Sequence, residues 1–265
     1  MSAEVRLDVD GSVATLIISN LERRNAMTVA MWQTVPSLCD RINSDPSIRV
    51  VVIRGDAQPD GQTVAFAAGA DISEFETVRK GAAGARNYDA IEHAGLTAIQ
   101  NIEQPTIAAI HGFCFGGGVA ISVSADLRYA ADDALMAIPA ANLGLGYPAA
   151  GLAKLVDLLG PATTKELFYR ARRFDAAEAL HVGLVNQVVP KADLDAHVAA
   201  IAADIATKAP LTLRQVKTVV GELLRGHEAD HDLMQSATDA CFESADYGEG
   251  VAAFLEKRRP DFTGR

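Results

Sequence analysis

The stretch His111-Gly112-Phe113-Cys114-Phe115-Gly116-Gly117-Gly118-Val119-Ala120 constrains this chain more than any other. The apolar run Thr106-Ile107-Ala108-Ala109-Ile110 precedes it and reads as a buried strand. Val119-Ala120-Ile121-Ser122-Val123, at its end, suits a helix. A strand, a glycine turn and a buried helix start gather several unpaired backbone N–H groups at one spot. With the helix dipole behind them, such donors suit an oxygen that gains negative charge during a reaction. Glycine also lets a ligand approach the backbone closely. A packing turn without chemistry is the other reading of the same residues. Gly112, Gly116, Gly117 and Gly118 do not form G-x-G-x-x-G, and no Gly-Lys-Ser/Thr follows. That excludes the dinucleotide fingerprint and the nucleotide P-loop.

A second glycine turn, Phe66-Ala67-Ala68-Gly69-Ala70-Asp71-Ile72, again follows a buried strand and precedes a short helix. Two strand-end amide sites in one chain can address one oxygen from two sides. Taken with Asn25-Ala26-Met27, Ala125-Asp126 and Glu256-Lys257-Arg258, these motifs make the chain resemble the crotonase superfamily, the enoyl-CoA hydratase/isomerase family. The resemblance covers nearly the whole chain, in the family's order and spacing. It points to the superfamily and not to one reaction.

The resemblance implies an α/β fold: a spiral of stacked ββα units followed by a C-terminal helical region that builds trimers. Residues 1–195 are then a core carrying an acyl-CoA site, and 196–265 the helical region, in a homotrimer or a dimer of trimers. The backbone N–H groups of Ala70 and Gly117 are expected to form the oxyanion hole. Arg24, Ala68, Asp71, Ile72, Gly116, Pro139, Leu143 and Lys257 are expected around the substrate, with Lys257 reaching it from a neighbouring subunit. Arg23 and Arg24 also read as plain surface charges. Coenzyme A is part of the substrate and no separate cofactor is expected. No His/Cys/Asp/Glu cluster has ligand spacing, so no metal is expected either.

The acid–base side departs from the family. A standard hydratase there uses two glutamates, and the matching positions in this chain are Ala120 and Ala140. A methyl group neither accepts a proton nor positions a water. Ordinary hydration by that pair is therefore expected to be absent or very slow, and the standard double-bond shift is in doubt as well. Tyr147, in Asn142-Leu143-Gly144-Leu145-Gly146-Tyr147, resembles the tyrosine of a methylmalonyl-CoA decarboxylase-like branch, which carries a histidine where this chain has Ala70. Tyr147 also reads as simple pocket lining. Glu74, Glu92 and His93 are further side chains able to reach a pocket from the 76–90 side. Three readings follow: an enolate-stabilising enzyme without the usual glutamates, a decarboxylase-like lyase using Tyr147, and a non-catalytic acyl-CoA binder.

Composition agrees with this frame. In 265 residues, 49% hydrophobic and 22% charged, there is material for one substantial core. A net charge of −10 with no basic stripe argues against a nucleic-acid partner. No run of 18 apolar residues is present, so no membrane span is expected. The start, Met1-Ser2-Ala3-Glu4, lacks a basic region followed by an apolar core. Cys39, Cys114 and Cys241 are odd in number and widely spaced, as in reduced core thiols. A cytoplasmic protein is expected.

Local signals predict a hairpin around Asp10-Gly11, a helix from Thr28 to about residue 43, and a strand over 48–55. Asp71 and Glu74 are spaced as a capping box. Residues 76–90 read as a flap or a surface loop, with a helix from 87 to 103. Asp126 is expected to satisfy backbone donors in the core. A helix is expected to stop at Gly160-Pro161, and three amphipathic helices are expected over 194–208, 210–225 and 228–243.

Overall fold

A computed structural model of the chain describes residues 3–58 and 60–265. Met1 and Ser2, within the start read for a leader, and Pro59, in the turn-rich loop of residues 56–63, lie outside the described residues.

The chain opens with β1 (Glu4–Asp10) and β2 (Val13–Ser19), paired antiparallel across Gly11-Ser12. Gly11 takes the positive φ, +57°, so the turn residues are Gly-Ser and Asp10 still pairs in the ladder. Next come α1 (Val29–Asn43), β3 (Val50–Gly55), β4 (Ala65–Ala67), α2 (Phe75–Val78) and α3 (Gly81–Gln100). They are followed by β5 (Thr106–Ile110), β6 (Phe113–Phe115), α4 (Gly117–Ser124), β7 (Leu127–Ala131) and β8 (Leu135–Ala137). The second half holds α5 (Ala140–Leu143), α6 (Ala149–Arg170), β9 (Phe174–Asp175), α7 (Ala176–His181) and β10 (Gln187–Val189). Four helices close the chain: α8 (Leu194–Ala206), α9 (Pro210–Leu224), α10 (His231–Glu243) and α11 (Ala245–Glu256).

Strands are dealt alternately to two sheets. One runs β1-β2-β3-β5-β7-β10, parallel except for the first hairpin; the other runs β4-β6-β8-β9. Each turn of the chain places one strand in each sheet and then crosses back through a helix, which makes the spiral of ββα units expected from the resemblance. β3 shows why its sequence has no polar alternation. Val51 and Ile53 point into the main core, while Val50 and Val52 point into a second apolar cluster with Leu194, Val198 and Ala202 of α8. Both faces are covered, as parallel strands require.

That packing bears on the expected 196–265 region. α8 belongs to the layer covering the six-stranded sheet, and the helices that stand away from the core begin at Pro210. α11, which periodicity alone did not predict, is started by Ser244, whose Oγ accepts the Tyr247 N–H at 3.2 Å.

Several local expectations change in the structure. Thr28 caps α1 as predicted, accepting the Met31 N–H at 3.2 Å. Asp71 caps its own turn by accepting from Ser73 N–H, but Glu74 does not complete a capping box. Its carboxylate instead accepts the Val29 N–H at 2.9 Å, at the start of α1. Residues 81–86 are helical, so α3 absorbs most of the segment expected as a flap; Tyr88, buried against the core, holds this turn in place. Asp126 does accept from Thr106 N–H at 2.8 Å, but it does so at the exposed end of the sheet and beside Lys217 Nζ, not inside the core. α6 breaks at Gly160, φ +72°, where the stop was expected. The three cysteines are free, and burial pushes the Cys39 and Cys114 thiols up to about 12, which leaves them unreactive.

Candidate active site

The two glycine turns meet. Asn25 secures the first: its side-chain amide donates to Ala65 O at 2.9 Å and to Asp56 O at 3.1 Å. The loop behind it then pairs like a strand with residues 68–71. Ala68 N–H donates to Arg24 O at 3.0 Å, Met27 N–H to Gly69 O at 2.7 Å, and Asp71 N–H to Met27 O at 2.8 Å. Successive peptide groups of an extended chain point to opposite sides, so the N–H of Ala70 faces away from this pairing. It has no hydrogen-bond partner among the described residues. Gly69, at φ +101°, makes the bend that aims it, in a conformation L side chains rarely adopt.

The second turn supplies the other donor. Gly116 precedes α4 and its N–H donates to Ala137 O at 2.8 Å, while Gly117 is the first helical residue. The N–H of such a residue has no partner within its helix. α4 reaches its place because Gly118 lies against β4, where a β-carbon would fall 2.3 Å from Ala67 O. A β-carbon on Gly117 would stand 3.8 Å from Ala70 N, so the two turns bring these residues side by side. The buried indole of Trp32 packs behind Gly117, with Cζ2 3.3 Å from the same point.

Both turns line a cavity of about 230 Å³. Among the expected residues, Ala68, Ala70, Ile72, Gly116, Gly117, Pro139, Leu143 and Tyr147 line it. Asp71 does not; it is buried in its own turn, 3.6 Å from Arg23 Nη1. Arg24 also lies off the cavity, its guanidinium over the Phe113 ring at 4.8 Å. Lys257 is exposed at the end of α11, away from the cavity of its own chain. Ala140, one of the two glutamate positions, lines this cavity; Ala120, the other, lines a neighbouring one of about 610 Å³. The two cavities share Glu92, Tyr147 and Pro148.

Two of these shared residues bear functional groups. Glu92 Oε1 lies 3.4 Å from the β-carbon position of Gly117, beside the free N–H groups. Desolvation raises its pKa to about 7; Arg79 opposes the shift and Asp89 adds to it. Tyr147 packs edge-on against Phe168 at 4.9 Å, and burial pushes its phenol well above the usual range, so it stays a neutral donor. Glu74 is spent on α1, and His93 is exposed on the outer cavity. Of the three acid–base side chains named from the 76–90 side, the structure brings Glu92 to the site. A signal was present in the sequence: Tyr88, Glu92, Leu96 and Ile99 share one face of α3, so a carboxylate stands on an apolar stripe. Arg79 and Phe75, which also line the cavity, carried no such signal. Among the described residues no group of three or more metal-ligating side chains gathers.

A two-sheet ββα spiral with a cavity lined by its two glycine turns is an α/β fold of the crotonase type. A profile of the enoyl-CoA hydratase/isomerase family matches residues 8–265, and the chain belongs to that family. It is 32% identical over 263 residues to a crotonyl-CoA hydratase of Syntrophomonas wolfei subsp. wolfei, covering 98% of this chain and 97% of that protein. To a carnitinyl-CoA dehydratase of Proteus mirabilis it is 33% identical over 272 residues, covering 100% of both. Among solved structures, an enoyl-CoA hydratase/carnithine racemase from Magnetospirillum magneticum superposes with a TM-score of 0.92 at 35% identity, over 100% of this chain and 97% of that one. No helix among the described residues is long and apolar enough to cross a membrane.

Proposed function

We propose that this chain binds an acyl-CoA thioester and stabilises its enolate, in the manner of an enoyl-CoA hydratase/isomerase but without the usual glutamate pair. The observation that supports this reading is that Ala70, whose N–H has no partner among the described residues, and Gly117, the first residue of α4, line one cavity side by side. An enolate oxygen seated between them gains charge as it forms, and donors fixed in advance lower the barrier without reorganising. Each such donor is worth about 3 kcal/mol of transition-state stabilisation. Ala68, Ile72, Gly116, Pro139 and Leu143 then line the thioester and pantetheine path. Arg24 and Lys257 approach the coenzyme A phosphates, Lys257 from a neighbouring subunit of a homotrimer or dimer of trimers. The apolar side chains that α9, α10 and α11 expose support such an assembly.

Turnover of a small thioester panel tests this, with equilibrium binding on the same samples. Crotonyl-CoA, a 3-enoyl-CoA and methylmalonyl-CoA are each expected to bind. Crotonyl-CoA hydration is expected to be slow, because Ala120 and Ala140 hold no water. Brisk hydration would overturn the argument from those two alanines; failure of every thioester to bind would overturn the whole reading. A second reading, a decarboxylase-like lyase, is favoured by the Tyr147 phenol, a neutral donor in the same cavity suited to orienting a substrate carboxylate. Release of carbon dioxide from methylmalonyl-CoA, lost in Tyr147→Phe, would establish it. Tight binding with no product from any substrate would leave the chain a binding protein.

A further inference from the structure

We infer that Glu92 is the proton-transfer group of this site, standing in from α3 for the carboxylates that positions 120 and 140 lack. The inference rests on the thioester-enolate reading above. Four observations lead to it. Glu92 is the one carboxylate that lines the inner cavity among the described residues. It lines both the cavity that holds Ala140 and the cavity that holds Ala120. Its Oε1 lies 3.4 Å from the β-carbon position of Gly117, the point that is itself 3.8 Å from Ala70 N. A carbon next to a carbonyl held by those two N–H groups is therefore within its reach.

Finally, Glu92 has no ion-pair or hydrogen-bond partner among the described residues, although a guanidinium is close by. Arg79 pairs with Asp89 through Nη2 and lies over the rings of Tyr88 at 4.5 Å and Phe75 at 5.0 Å, while its buried Nε has no partner among the described residues. A structural carboxylate would have claimed that arginine. Asp89 takes it instead, one helical turn back, and Glu92 is left half-buried between the two cavities. Partial desolvation without a partner is the arrangement that tunes a glutamate towards neutral pH for acid–base work.

The step balances without a co-reactant. The Glu92 carboxylate takes a proton from the α-carbon, and the C–H electron pair moves into the thioester carbonyl. The resulting enolate oxygen carries the negative charge between the Ala70 and Gly117 N–H groups. The carboxylic acid then returns a proton to the α-carbon, or to the γ-carbon where a 3-enoyl group makes a dienolate, and the carbonyl re-forms. In the second case the double bond moves from the 3 to the 2 position. One carboxyl suffices for either outcome, and no water enters.

Hydrogen–deuterium exchange at the α-carbon of butyryl-CoA in D2O tests this, read by mass spectrometry beside equilibrium binding of the same thioester. Wild type is expected to exchange, and Glu92→Gln to lose at least 100-fold in rate while its affinity stays within about 3-fold. Exchange by wild type is expected to rise with pH and level off above about 7, near the value at which Glu92 ionises. Arg79, Tyr88, Asp89 and Tyr147 face Glu92, and Arg86, His93, Lys154 and Asp157 line the outer cavity it shares. The two phenols are held protonated through that range, so they do not produce the rise. His93→Gln is expected to keep the rise, which separates that imidazole from it. Unchanged exchange in a folded Glu92→Gln, or a wild-type profile flat from pH 5 to pH 9, would overturn the role of Glu92. Should the glutamine variant fail to fold, Glu92→Asp gives the same comparison with the carboxyl withdrawn by one methylene. Binding without any exchange by wild type would instead overturn the enolate reading itself.

Discussion

Glu92 Oε1 stands 3.4 Å from the place a Gly117 side chain would begin, so the carboxylate of α3 and the first residue of α4 border one narrow space. Gly117 has helical geometry with no positive φ, and alanine there meets no backbone strain. What the methyl meets is Trp32 Cζ2 at 3.3 Å and Glu92 at 3.4 Å. Gly117→Ala is therefore expected to fold, at a cost of about 1–2 kcal/mol for the crowding. Its α-carbon exchange of butyryl-CoA is expected to fall at least 10-fold, because the methyl occupies the place of the enolate. A thermal melt and the exchange assay on one preparation measure both. Full exchange in a folded variant would mean that the substrate oxygen sits elsewhere.

Much of this arrangement could be read before the structure. β3 and α1 announce themselves through unbroken apolar residues and the Thr28 cap, signals carried by neighbours in sequence. The two glycine turns were legible for the same reason. What escaped is whatever distant residues decide. Glu74 has capping-box spacing, yet the Val29 N–H, left open at the start of α1, captures it. Gly81 and Gly84 weaken a helix by about 1 kcal/mol each, but the burial of Tyr88 extends α3 through them. Glu92 had a legible place on the apolar face of α3. That this face looks at Gly117 depends on how α3 and α4 pack, which no local signal states.

The same burial of Glu92 has a stability consequence of definite sign. Its pKa is raised from 4.5 to about 7. Between those values the folded chain holds a proton that the unfolded chain has lost, so this group destabilises the fold as pH rises through the interval. Glu92→Gln removes that liability. Relative to wild type it is expected to gain on the order of 2 kcal/mol at pH 8, with no gain at pH 4. Urea denaturation at the two pH values measures it. An equal effect at both would show that packing, not ionisation, distinguishes the side chains. A gain in stability at pH 8 with a loss of exchange would be the trade expected of a buried functional group.

Asp56 gives the opposite sign. Arg6 donates to it through Nη1 at 2.7 Å and Nη2 at 3.0 Å, and Ser19 Oγ at 2.7 Å. The Arg6 hydrogen bonds, with help from Ser19, lower its pKa to about 2 against the opposing cost of burial. A depressed carboxylate stabilises the fold above its unfolded pKa, and that stability is lost as pH falls through the folded value. The pair is partly solvated, so screening cuts its worth to about 1 kcal/mol. Asp56→Asn is expected to lower stability by that much at pH 7 and by much less at pH 2.5. A penalty that persists undiminished in acid would assign the effect to lost geometry at β1 and β2 rather than to charge.

The last prediction concerns the far end of the chain. Phe254 is 83% exposed and Leu255 75%, on a helix whose neighbours α9 and α10 expose Leu223 and Phe242 as well. Apolar side chains collected on three helices rarely stay in water unless another surface covers them. A second and third copy of this chain are the proposed cover, and Phe254 and Leu255 are the residues most out of place in a monomer. Phe254→Ser with Leu255→Ser removes little from the core of the chain itself, because neither side chain is packed there. The double variant is therefore expected to keep its far-ultraviolet circular dichroism while its mass by light scattering drops from that of a trimer or hexamer to that of one chain. Thioester binding in the same samples gives a further reading. If Lys257 serves a neighbouring subunit's coenzyme A, affinity for butyryl-CoA falls with the assembly, whereas a wild-type mass of one chain would remove the basis for both expectations.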